Sequence, residues 1–277
     1  MMALKTIGFI GAGNMGEALV KGMLQAGLVK PAQIMVSDVD AKKLQNFKKR
    51  YGVKTVQDNA ELCRKASIIV LAVKPQQAAD VLGPLRGAVS SSQTVISIMA
   101  GVRTDGIQKF FAAKVPVVRV MPNTPALIGR GMAVISKGRY AKAAHEKAAL
   151  QIFGAVGDAL ALPEKYLDAV TAVSGSGPAY VFYLIEALRD AGARAGLPSA
   201  VAERLALQTV AGAGVMAQEH YRHYGEKPEL LRQRVTSKKG TTEAALKVFE
   251  KRGFKKTVAG AVAAAAKRSR QLSRGGA

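Results

Sequence analysis

Short apolar runs alternate with amphipathic stretches over the first 160 residues of the chain. The runs rich in Val, Ile and Leu predict strands at 6–10, 33–37, 53–56, 67–73, 94–99, 117–121, 132–136 and 156–162. Several of them are continuously apolar, which is typical of strands buried on both faces of a parallel sheet. The first part of the chain therefore predicts a parallel sheet covered by helices.

After Pro163 the pattern changes, because strand-like runs end and Ala, Leu, Glu and Arg recur at helical spacing. This spacing predicts helices over 166–173, 179–195, 199–221, 229–235, 242–252 and 254–272. Helices as rich in alanine as the segment "VAGAVAAAA" bury little in a single layer, so we expect this part to pack against a second copy. The sequence thus predicts two domains, 1–162 with the sheet and 163–277 entirely helical.

The first predicted strand is followed by three glycines, Gly11, Gly13 and Gly16, in the GxGxxG spacing. In a strand–turn–helix unit the first glycine allows a tight turn, the second lets the backbone approach a pyrophosphate, and the third lets the helix pack on the strand. The helix that follows offers unpaired N–H groups to the phosphates. Glycines are common in turns, but the position of these three in a βαβ unit predicts nucleotide binding.

An acidic residue, Asp38, ends the second predicted strand, 22 positions beyond Gly16. A carboxylate at this point accepts hydrogen bonds from the adenosine ribose and repels a 2′-phosphate, which favours NAD. Ser37 offers a hydroxyl to such a phosphate, and Lys42 and Lys43 lie one helical turn further on, which favours NADP. The choice between NAD and NADP stays open, and a second role for Asp38 is the N-cap of the following helix.

At 277 residues, with 49% apolar and 22% charged residues, the chain has the composition of a globular protein of about two domains. Its 41 basic and 19 acidic residues give a net charge of +22, so a basic nucleotide-sensing protein that binds nucleic acid is an alternative. The excess is spread over both parts, with 22 basic and 9 acidic residues in 1–160 and 19 and 10 in 161–277. We therefore expect a solvated basic surface and no nucleic-acid partner.

Other features bear on location and cofactors. Cys63 is the single cysteine, which excludes an intrachain disulfide and fits a reducing cytoplasm. No apolar stretch reaches the roughly 18–20 residues of a bilayer-spanning helix, so we expect no membrane partner. His145, His220 and His223 are scattered over polar stretches without ligand spacing, so we expect no metal.

Four further segments carry a family resemblance. They are "AVKPQ" from Ala72, "VMPNTPALIGRGM" from Val120, "VSGSGPAYVFYLIEAL" from Val173 and "VTSKKGTTEAAL" from Val235. Their order and spacing resemble pyrroline-5-carboxylate reductase over essentially the whole chain. The resemblance implies reduction of 1-pyrroline-5-carboxylate to L-proline by hydride from NADPH or NADH, the last step of proline biosynthesis. It also implies an N-terminal Rossmann-type doubly wound sheet followed by an all-helical dimerisation domain, in a homodimer or an assembly of dimers.

The resemblance also assigns site residues. It places the cofactor against loop residues at strand ends, namely Ile10, Gly11, Ala12, Gly13, Asn14, Met15, Gly16, Ser37, Asp38, Asn59, Ala72, Val73, Lys74, Pro75, Met99, Ala100 and Gly101. It places the small-molecule substrate against residues that both subunits contribute, namely Ser174, Gly175, Ser176, Gly177, Gly240, Thr241 and Thr242.

In the reduction of a cyclic imine the protein mainly has to position the ring against the hydride donor, because the protonated ring is already electrophilic. Gly240, Thr241 and Thr242 open a predicted helix, where free N–H groups suit the substrate carboxylate. We assign the Thr242 hydroxyl to the ring nitrogen, as a group that orients or relays a proton. Ser176 is the second catalytic candidate, because its hydroxyl can bond either ligand.

Three further residues are open in role. Asn123 in "PNTP" either contacts a ligand or satisfies a turn, and Glu164 either approaches the substrate amine or has an N-cap or surface role. Lys239 departs from the family, in which Pro-Gly or Lys-Gly usually precedes the loop glycine. A lysine takes positive φ less readily than glycine does, so either the turn is reshaped or Lys239 is strained. We predict that its charge attracts the substrate carboxylate.

A β-hydroxyacid dehydrogenase is the nearest enzymatic alternative, because it shares a similar N-terminal domain and a helical second domain. That family carries a catalytic lysine on the helix after a similar glycine string. Residues 178–188 contain no lysine, so alcohol oxidation lacks its proton acceptor. Another cyclic imine, such as piperideine-2-carboxylate, stays open as a substrate.

Overall fold

The structure is a computed structural model that describes residues 4–275. By contacts, the chain divides into two compact units. One ends at Ser176 and takes in the chain from Ala264 on, and the other runs from Gly177 to Ala263. The first unit extends beyond the sheet because residues 164–175 and the end of the last helix pack within it. The division into domains 1–162 and 163–277, which follows the sequence pattern, stays a prediction.

A sheet in the order β3-β2-β1-β4-β5-β6-β7-β8 forms the centre of the first unit. Its strands are β1 (Ile7–Ile10), β2 (Ile34–Ser37), β3 (Lys54–Val56), β4 (Ile68–Leu71), β5 (Thr94–Ser97), β6 (Val117–Met121), β7 (Gly131–Lys137) and β8 (Gly157–Ala161). Each overlaps one predicted run, so the strand predictions are confirmed with ends that differ by a few residues. The strands from β3 to β6 are parallel in the doubly wound Rossmann order, which confirms the predicted fold class.

The strand β7 departs from the predicted parallel sheet. It runs antiparallel to β6, with Arg119 opposite Ser136, and β8 lies parallel to β7. The connection between β6 and β7, residues 122–130, is shorter than the dozen or more residues that a crossover to a parallel strand needs. The chain therefore turns back, and the expectation of a uniformly parallel sheet is wrong at this edge.

Helices cover the sheet and form the second unit. Those of the first unit are α1 (Asn14–Gln25), α2 (Ala41–Tyr51), α3 (Asn59–Lys65), α4 (Ala78–Leu82), α5 (Thr104–Gln108), α6 (Ala143–Gly154) and α7 (Leu167–Val170). They are followed by α8 (Gly177–Arg194), α9 (Ser199–Tyr224), α10 (Pro228–Arg234), α11 (Thr241–Lys251) and α12 (Phe254–Gly275). These last five match predicted helices.

The predicted helix at 166–173 differs from the structure. After α7 the chain widens into a π-helical turn at Thr171–Gly175. The Ser176 amide donates to the Thr171 carbonyl, five residues back, at 2.8 Å. Such single π turns accommodate one extra residue in a helix and are frequent at functional sites.

Two apolar clusters cover the two faces of the sheet. Phe9 and Phe153 belong to one cluster, and Ile10 and Ile107 belong to the other. Phe9 and Ile10 are adjacent in β1 and enter different clusters, because successive side chains of a strand point to opposite faces. The sheet is therefore buried on both sides, which explains its continuous apolar runs.

Residues 4–275 contain no membrane-spanning helix and no metal cluster, and Cys63 is their single thiol. No helix in this range combines the length and the apolar character that a membrane span needs. In the same range no three His, Cys, Asp or Glu side chains cluster as a metal site. Cys63 is buried, and burial raises the pKa of its thiol to about 12, so the thiol is unreactive near neutral pH.

Candidate active site

The glycine loop between β1 and α1 has the geometry that its motif predicts. Gly11 has a φ of +107°, and a Cβ there would lie 2.5 Å from the Ala72 carbonyl oxygen. A Cβ on Gly16 would lie 2.8 Å from the Gly11 carbonyl oxygen, so α1 packs closely on the loop. A Cβ on Gly13, in contrast, would meet no atom within 4 Å. Gly13 faces open space where the motif lets a phosphate approach the backbone.

Within residues 4–275, no side chain caps the N-terminus of α1. Gly13 is the N-cap residue, with φ −85° and ψ 178°, and no side chain accepts a hydrogen bond from the first turn. Most helices satisfy such N–H groups with a Ser, Thr, Asp or Asn side chain. Together with the open space beside Gly13, these donors fit the pyrophosphate of a dinucleotide at the positive end of the helix.

Asp38 joins the glycine loop to the connection between β2 and α2, with one carboxylate oxygen bonded to each. Oδ2 accepts from the Ala12 amide at 2.7 Å, and Oδ1 accepts from the Asp40 amide at 2.9 Å. The N-cap of α2 is Asp40, whose side chain accepts from the amides of Lys42 and Lys43. The N-cap role considered for Asp38 is therefore wrong, because the backbone is still extended at Asp40, with φ −88° and ψ 102°.

Ser37 and Asn59, both predicted to touch the cofactor, contact each other. The Ser37 hydroxyl donates to Asn59 Oδ1 at 2.7 Å, and Ser37 has no exposed surface. Asn59 is the first residue of α3 and is half-buried. Asn59 is thus the more accessible of the two, and the Ser37 hydroxyl is occupied within the protein.

The remaining predicted cofactor residues follow β4 and β5, at the carboxyl ends of these strands. Residues 72–75 come directly after β4, and the Ala72 amide donates to the Ile10 carbonyl at 2.8 Å. Residues 99–101 come after β5, and Gly101 has a φ of +77°. The strands β1 and β4 are neighbours although β2 and β3 separate them along the chain. The carboxyl ends of β1 and β4 therefore form the topological switch point, where open α/β sheets bind ligands.

Asn123 ties the glycine–serine string to the end of β6. Its side-chain amide donates to the Ser174 carbonyl at 3.2 Å and to Ser174 Oγ at 3.3 Å. Its Oδ1 accepts from the Met132 amide at 2.8 Å. A Cβ on Gly175 would overlap the Met121 methyl, so the string packs closely here. These bonds give Asn123 a turn-satisfying role, and its contact with a ligand stays a prediction.

The carboxylate of Glu164 lies inside the first unit. Oε1 accepts from the Thr104 amide at 2.9 Å, and Oε2 accepts from the Thr104 hydroxyl at 2.7 Å. Arg119 Nη1 donates to Oε1 at 3.2 Å. The Glu164 side chain is 14% exposed, so a surface role is wrong. None of these contacts supports the predicted approach of Glu164 to the substrate amine.

In the second unit, the predicted carboxylate site is the start of α11. Gly240 is the N-cap residue, with φ −85° and ψ 174°, and no side chain in the described part of the chain caps the first turn. Within residues 4–275, the hydroxyls of Thr241 and Thr242 have no hydrogen-bond partner, and neither has the hydroxyl of Ser176 in the first unit. Gly177 opens α8. The start of α11 thus offers amide and hydroxyl donors to an anion.

Lys239 adopts the strained conformation that the sequence raised as one alternative. Its φ is +59°, the one positive φ at a non-glycine residue from 4 to 275. Its amide donates to Glu243 Oε2 at 2.6 Å, and Lys247 Nζ lies 3.2 Å from Oε1 of the same carboxylate. The bond from the Lys239 amide, followed by the attraction of Lys247, lowers the pKa of Glu243. One carboxylate therefore fixes a loop whose backbone is strained.

Comparison with known proteins decides the family. Residues 164–272 match the family described as pyrroline-5-carboxylate reductase dimerisation, and residues 6–101 match the family described as NADP oxidoreductase, coenzyme F420-dependent. A pyrroline-5-carboxylate reductase of Methanosarcina acetivorans is 41% identical over 99% of this chain and 100% of its own length. The chain belongs to the pyrroline-5-carboxylate reductase family.

Solved structures of pyrroline-5-carboxylate reductases share the fold. One from Coxiella burnetii has a TM-score of 0.90 at 37% identity and covers 97% of this chain and 98% of its own. One from Plasmodium falciparum, with NADP bound, has a TM-score of 0.84 at 33% identity and covers 99% and 100%. The predicted family and its combination of a Rossmann-type sheet with a helical dimerisation part are confirmed.

Several residues that make contacts near the site are absent from the predictions made from sequence. Asp40 caps α2, and its position directly before an amphipathic stretch was a usable signal. Thr104 and Arg119 bind Glu164 across 60 and 45 positions, for which the sequence holds no local signal. Tyr180, in α8, has a buried hydroxyl without a partner in residues 4–275.

Replacing Lys239 with glycine separates strain from charge in this loop of the reductase. Glycine takes a positive φ without a Cβ penalty, so we expect the free energy of unfolding to rise by about 0.5–1 kcal/mol. If the Lys239 cation attracts the substrate carboxylate as predicted, its loss should raise the KM for pyrroline-5-carboxylate about two- to fivefold. Denaturant unfolding and steady-state kinetics measure the two effects.

Lys238→Gly is the matched control, because it removes a neighbouring charge at a position without positive φ. It should not raise the free energy of unfolding. A KM that stays unchanged or falls in Lys239→Gly would remove the electrostatic role. An unfolding free energy that does not rise would remove the strain.

Proposed function

We propose that this chain reduces 1-pyrroline-5-carboxylate to L-proline with hydride from a reduced nicotinamide dinucleotide, the last step of proline biosynthesis. The observation that carries the proposal is the open space beside Gly13, at an uncapped helix N-terminus. That space suits a pyrophosphate. The chain belongs to the pyrroline-5-carboxylate reductase family over nearly its full length, which supports the substrate.

We propose NADPH as the preferred donor and NADH as a second one. The relative from Plasmodium falciparum was solved with NADP bound. Both carboxylate oxygens of Asp38 already accept backbone amides, so they are less available to the adenosine ribose hydroxyls whose binding would favour NAD. Lys42 and Lys43 are exposed at the start of α2 and offer cations to that phosphate.

The residues of the chain have few chemical tasks in this reaction. When bound, the reduced nicotinamide would supply a hydride to the imine carbon of the pyrroline ring, which becomes Cδ of proline, and one proton on the ring nitrogen completes the amine. The N–H groups of α11 and the Thr241 hydroxyl bind the substrate carboxylate. The Thr242 hydroxyl orients the proton at the ring nitrogen, and Ser176 bonds the ring or the cofactor. Gly175 and Gly177 leave room for a flat ring.

The test follows the consumption of NADPH and of NADH separately, with pyrroline-5-carboxylate as substrate. We expect oxidation that depends on the imine, with one proline formed for each dinucleotide oxidised. If neither dinucleotide is consumed, the proposal fails. Faster reduction of piperideine-2-carboxylate would instead assign the chain to a different cyclic-imine reductase activity.

The alternative of β-hydroxyacid oxidation requires a lysine on the helix after the glycine string. That helix is α8, with the sequence GPAYVFYLIEALRDAGAR, and it contains no lysine. Alcohol oxidation therefore lacks its proton acceptor, whereas imine reduction needs none. Imine reduction is the better match to α8.

The helical part exposes large apolar side chains that favour association with a second copy. Phe182, Tyr183 and Val248 are 57%, 74% and 59% exposed. Apolar surface of this kind marks interaction sites, and residues 164–272 match a dimerisation family. We propose a homodimer in which both subunits contribute to the substrate site, and larger assemblies of dimers stay open. A sedimentation mass of one 29.1 kDa chain at assay concentration would contradict it.

We propose that the net charge of +22 forms a solvated surface in the cytoplasm, without a nucleic-acid partner. Several surface cations are paired locally, as Lys65 is with Glu61 and Lys247 with Glu243. The single, buried thiol of Cys63 fits a reducing compartment. Tight binding of duplex DNA with a steep dependence on salt would contradict the absence of a nucleic-acid partner.

A further inference from the structure

The contacts of Glu164 join three parts of the first unit. Its carboxylate accepts both the amide and the hydroxyl of Thr104, the first residue of α5, and it pairs with Arg119 in β6. The side chain of Arg119 is only 4% exposed. The N-cap residue of α5, Arg103, supplies no side-chain cap. Glu164 therefore provides the acceptor that the start of α5 lacks locally.

The helix α5 begins at the end of the turn that leaves β5, residues 98–103. This turn includes the three residues predicted to contact the cofactor after β5. It starts after Ser97, whose Oγ accepts from the Met99 amide at 3.2 Å, and Ser97 is opposite Arg119 in the sheet register. Glu164 thus fixes the far end of the 98–103 turn through Thr104. It also pairs with Arg119, which lies opposite Ser97 at the near end of the turn.

The end of α12 packs on the same turn. A Cβ on Gly101 would lie 3.3 Å from Leu272 Cβ. Ser269, one turn earlier in α12, donates to Asp168 Oδ1 at 2.6 Å. Asp168 follows Glu164 by four positions. The segment 164–168 therefore carries two carboxylates with related roles. Glu164 holds the end of the turn, and Asp168 holds α12, which packs on the turn.

Stability alone is a weak reason for this buried ion pair. Removing two ions from water costs about as much as their attraction returns, and apolar residues of similar size often serve as well. Arg119 Nη2 is also buried without a hydrogen-bond partner within residues 4–275, which adds to the cost. What apolar side chains cannot do is accept the amide and hydroxyl of Thr104 and so fix where α5 begins.

We propose that Glu164, through Thr104 and Arg119, is a positioning residue for the nicotinamide half of the dinucleotide. In a doubly wound sheet the dinucleotide crosses the switch point between β1 and β4, so its two halves lie over different strands. The 98–103 turn follows β5, on the opposite side of that point from β2 and its Asp38. Glu164 therefore acts on the nicotinamide half and leaves the adenosine half unaffected. The inference rests on the proposed function for the identity of its ligand.

The experiment compares two ligands on three proteins. Calorimetric titration gives the Kd of NADPH and of 2′-phospho-ADP-ribose, which lacks the nicotinamide, for the parent, Glu164→Gln and Glu61→Gln. Glu61→Gln is the matched control, because Glu61 pairs with Lys65 at the surface. We expect Glu164→Gln to raise the Kd of NADPH about tenfold and that of 2′-phospho-ADP-ribose by less than about twofold. The control should change neither.

Equal weakening of both ligands, or of neither, overturns the proposal. A purely structural role acts on the whole dinucleotide site, and a contact of Glu164 with the imine alone leaves both Kd values unchanged. If Glu164→Gln does not fold because Arg119 loses its carboxylate, Arg119→Met/Glu164→Gln removes both charges and gives the same comparison. Both ligands bind without substrate, so a failure to reduce pyrroline-5-carboxylate would overturn the proposed function and leave this result readable.

Discussion

A Gly13→Ala variant is expected to fold like the parent and to bind NADPH about ten- to a hundredfold more weakly. The added methyl group meets no protein atom within 4 Å, and the backbone at φ −85° and ψ 178° is open to alanine. The same methyl group occupies the space in which a pyrophosphate approaches the backbone. Calorimetric titration of NADPH, together with the melting temperature, measures the two effects.

Two other glycines give the comparison. Gly11→Ala places a Cβ against the Ala72 carbonyl at a φ of +107°, so it should lower the free energy of unfolding by about 2–4 kcal/mol. Gly154→Ala, at the end of α6, adds a methyl group in open space away from the loop, so it should leave the affinity for NADPH unchanged and raise the free energy of unfolding by at most about 1 kcal/mol, because alanine is the better helix former. If Gly13→Ala binds NADPH as the parent does, the pyrophosphate does not lie at this loop.

The strands were predictable because each of them is a short apolar run, and burial on both faces makes such runs continuous. The direction of β7 was not predictable from its own residues, because an apolar run has no direction. The short connection at 122–130 was the available signal, and it forces the chain to turn back. The π turn after α7 carries no periodicity that differs from a regular helix over so few residues.

The parts of the site that depend on local chain geometry were predictable from sequence. The glycine spacing predicted the tight loop at Gly11. The two lysines before Gly240, where the family usually has a glycine, predicted backbone strain as one alternative, and the structure shows it at Lys239. The role of Glu164 was not predictable, because Thr104 and Arg119 reach it only through the tertiary fold. A carboxylate in sequence does not reveal which distant donors will satisfy it.

Replacing Thr242 with valine is expected to lower kcat for pyrroline-5-carboxylate about a hundredfold, whereas Thr242→Ser keeps most of it. Valine has the shape of threonine without the hydroxyl, and this hydroxyl has no partner within residues 4–275. Its loss therefore breaks no bond of the free protein described here and removes only the proposed bond to the ring nitrogen. Steady-state kinetics for both variants, with the melting temperature as a check of folding, make the measurement.

Thr257→Val is the matched control for Thr242→Val, because Thr257 lies in the first turn of α12 and its hydroxyl donates to the Gly253 carbonyl at 3.3 Å. This change should leave kcat and KM as in the parent. The amides at the start of α11, which we propose bind the carboxylate, are unchanged in every variant, so the KM of Thr242→Val should change far less than its kcat. A Thr242→Val enzyme with parental kcat would show that solvent alone supplies and orients the proton, and a rise confined to KM would move Thr242 from the ring nitrogen to the carboxylate.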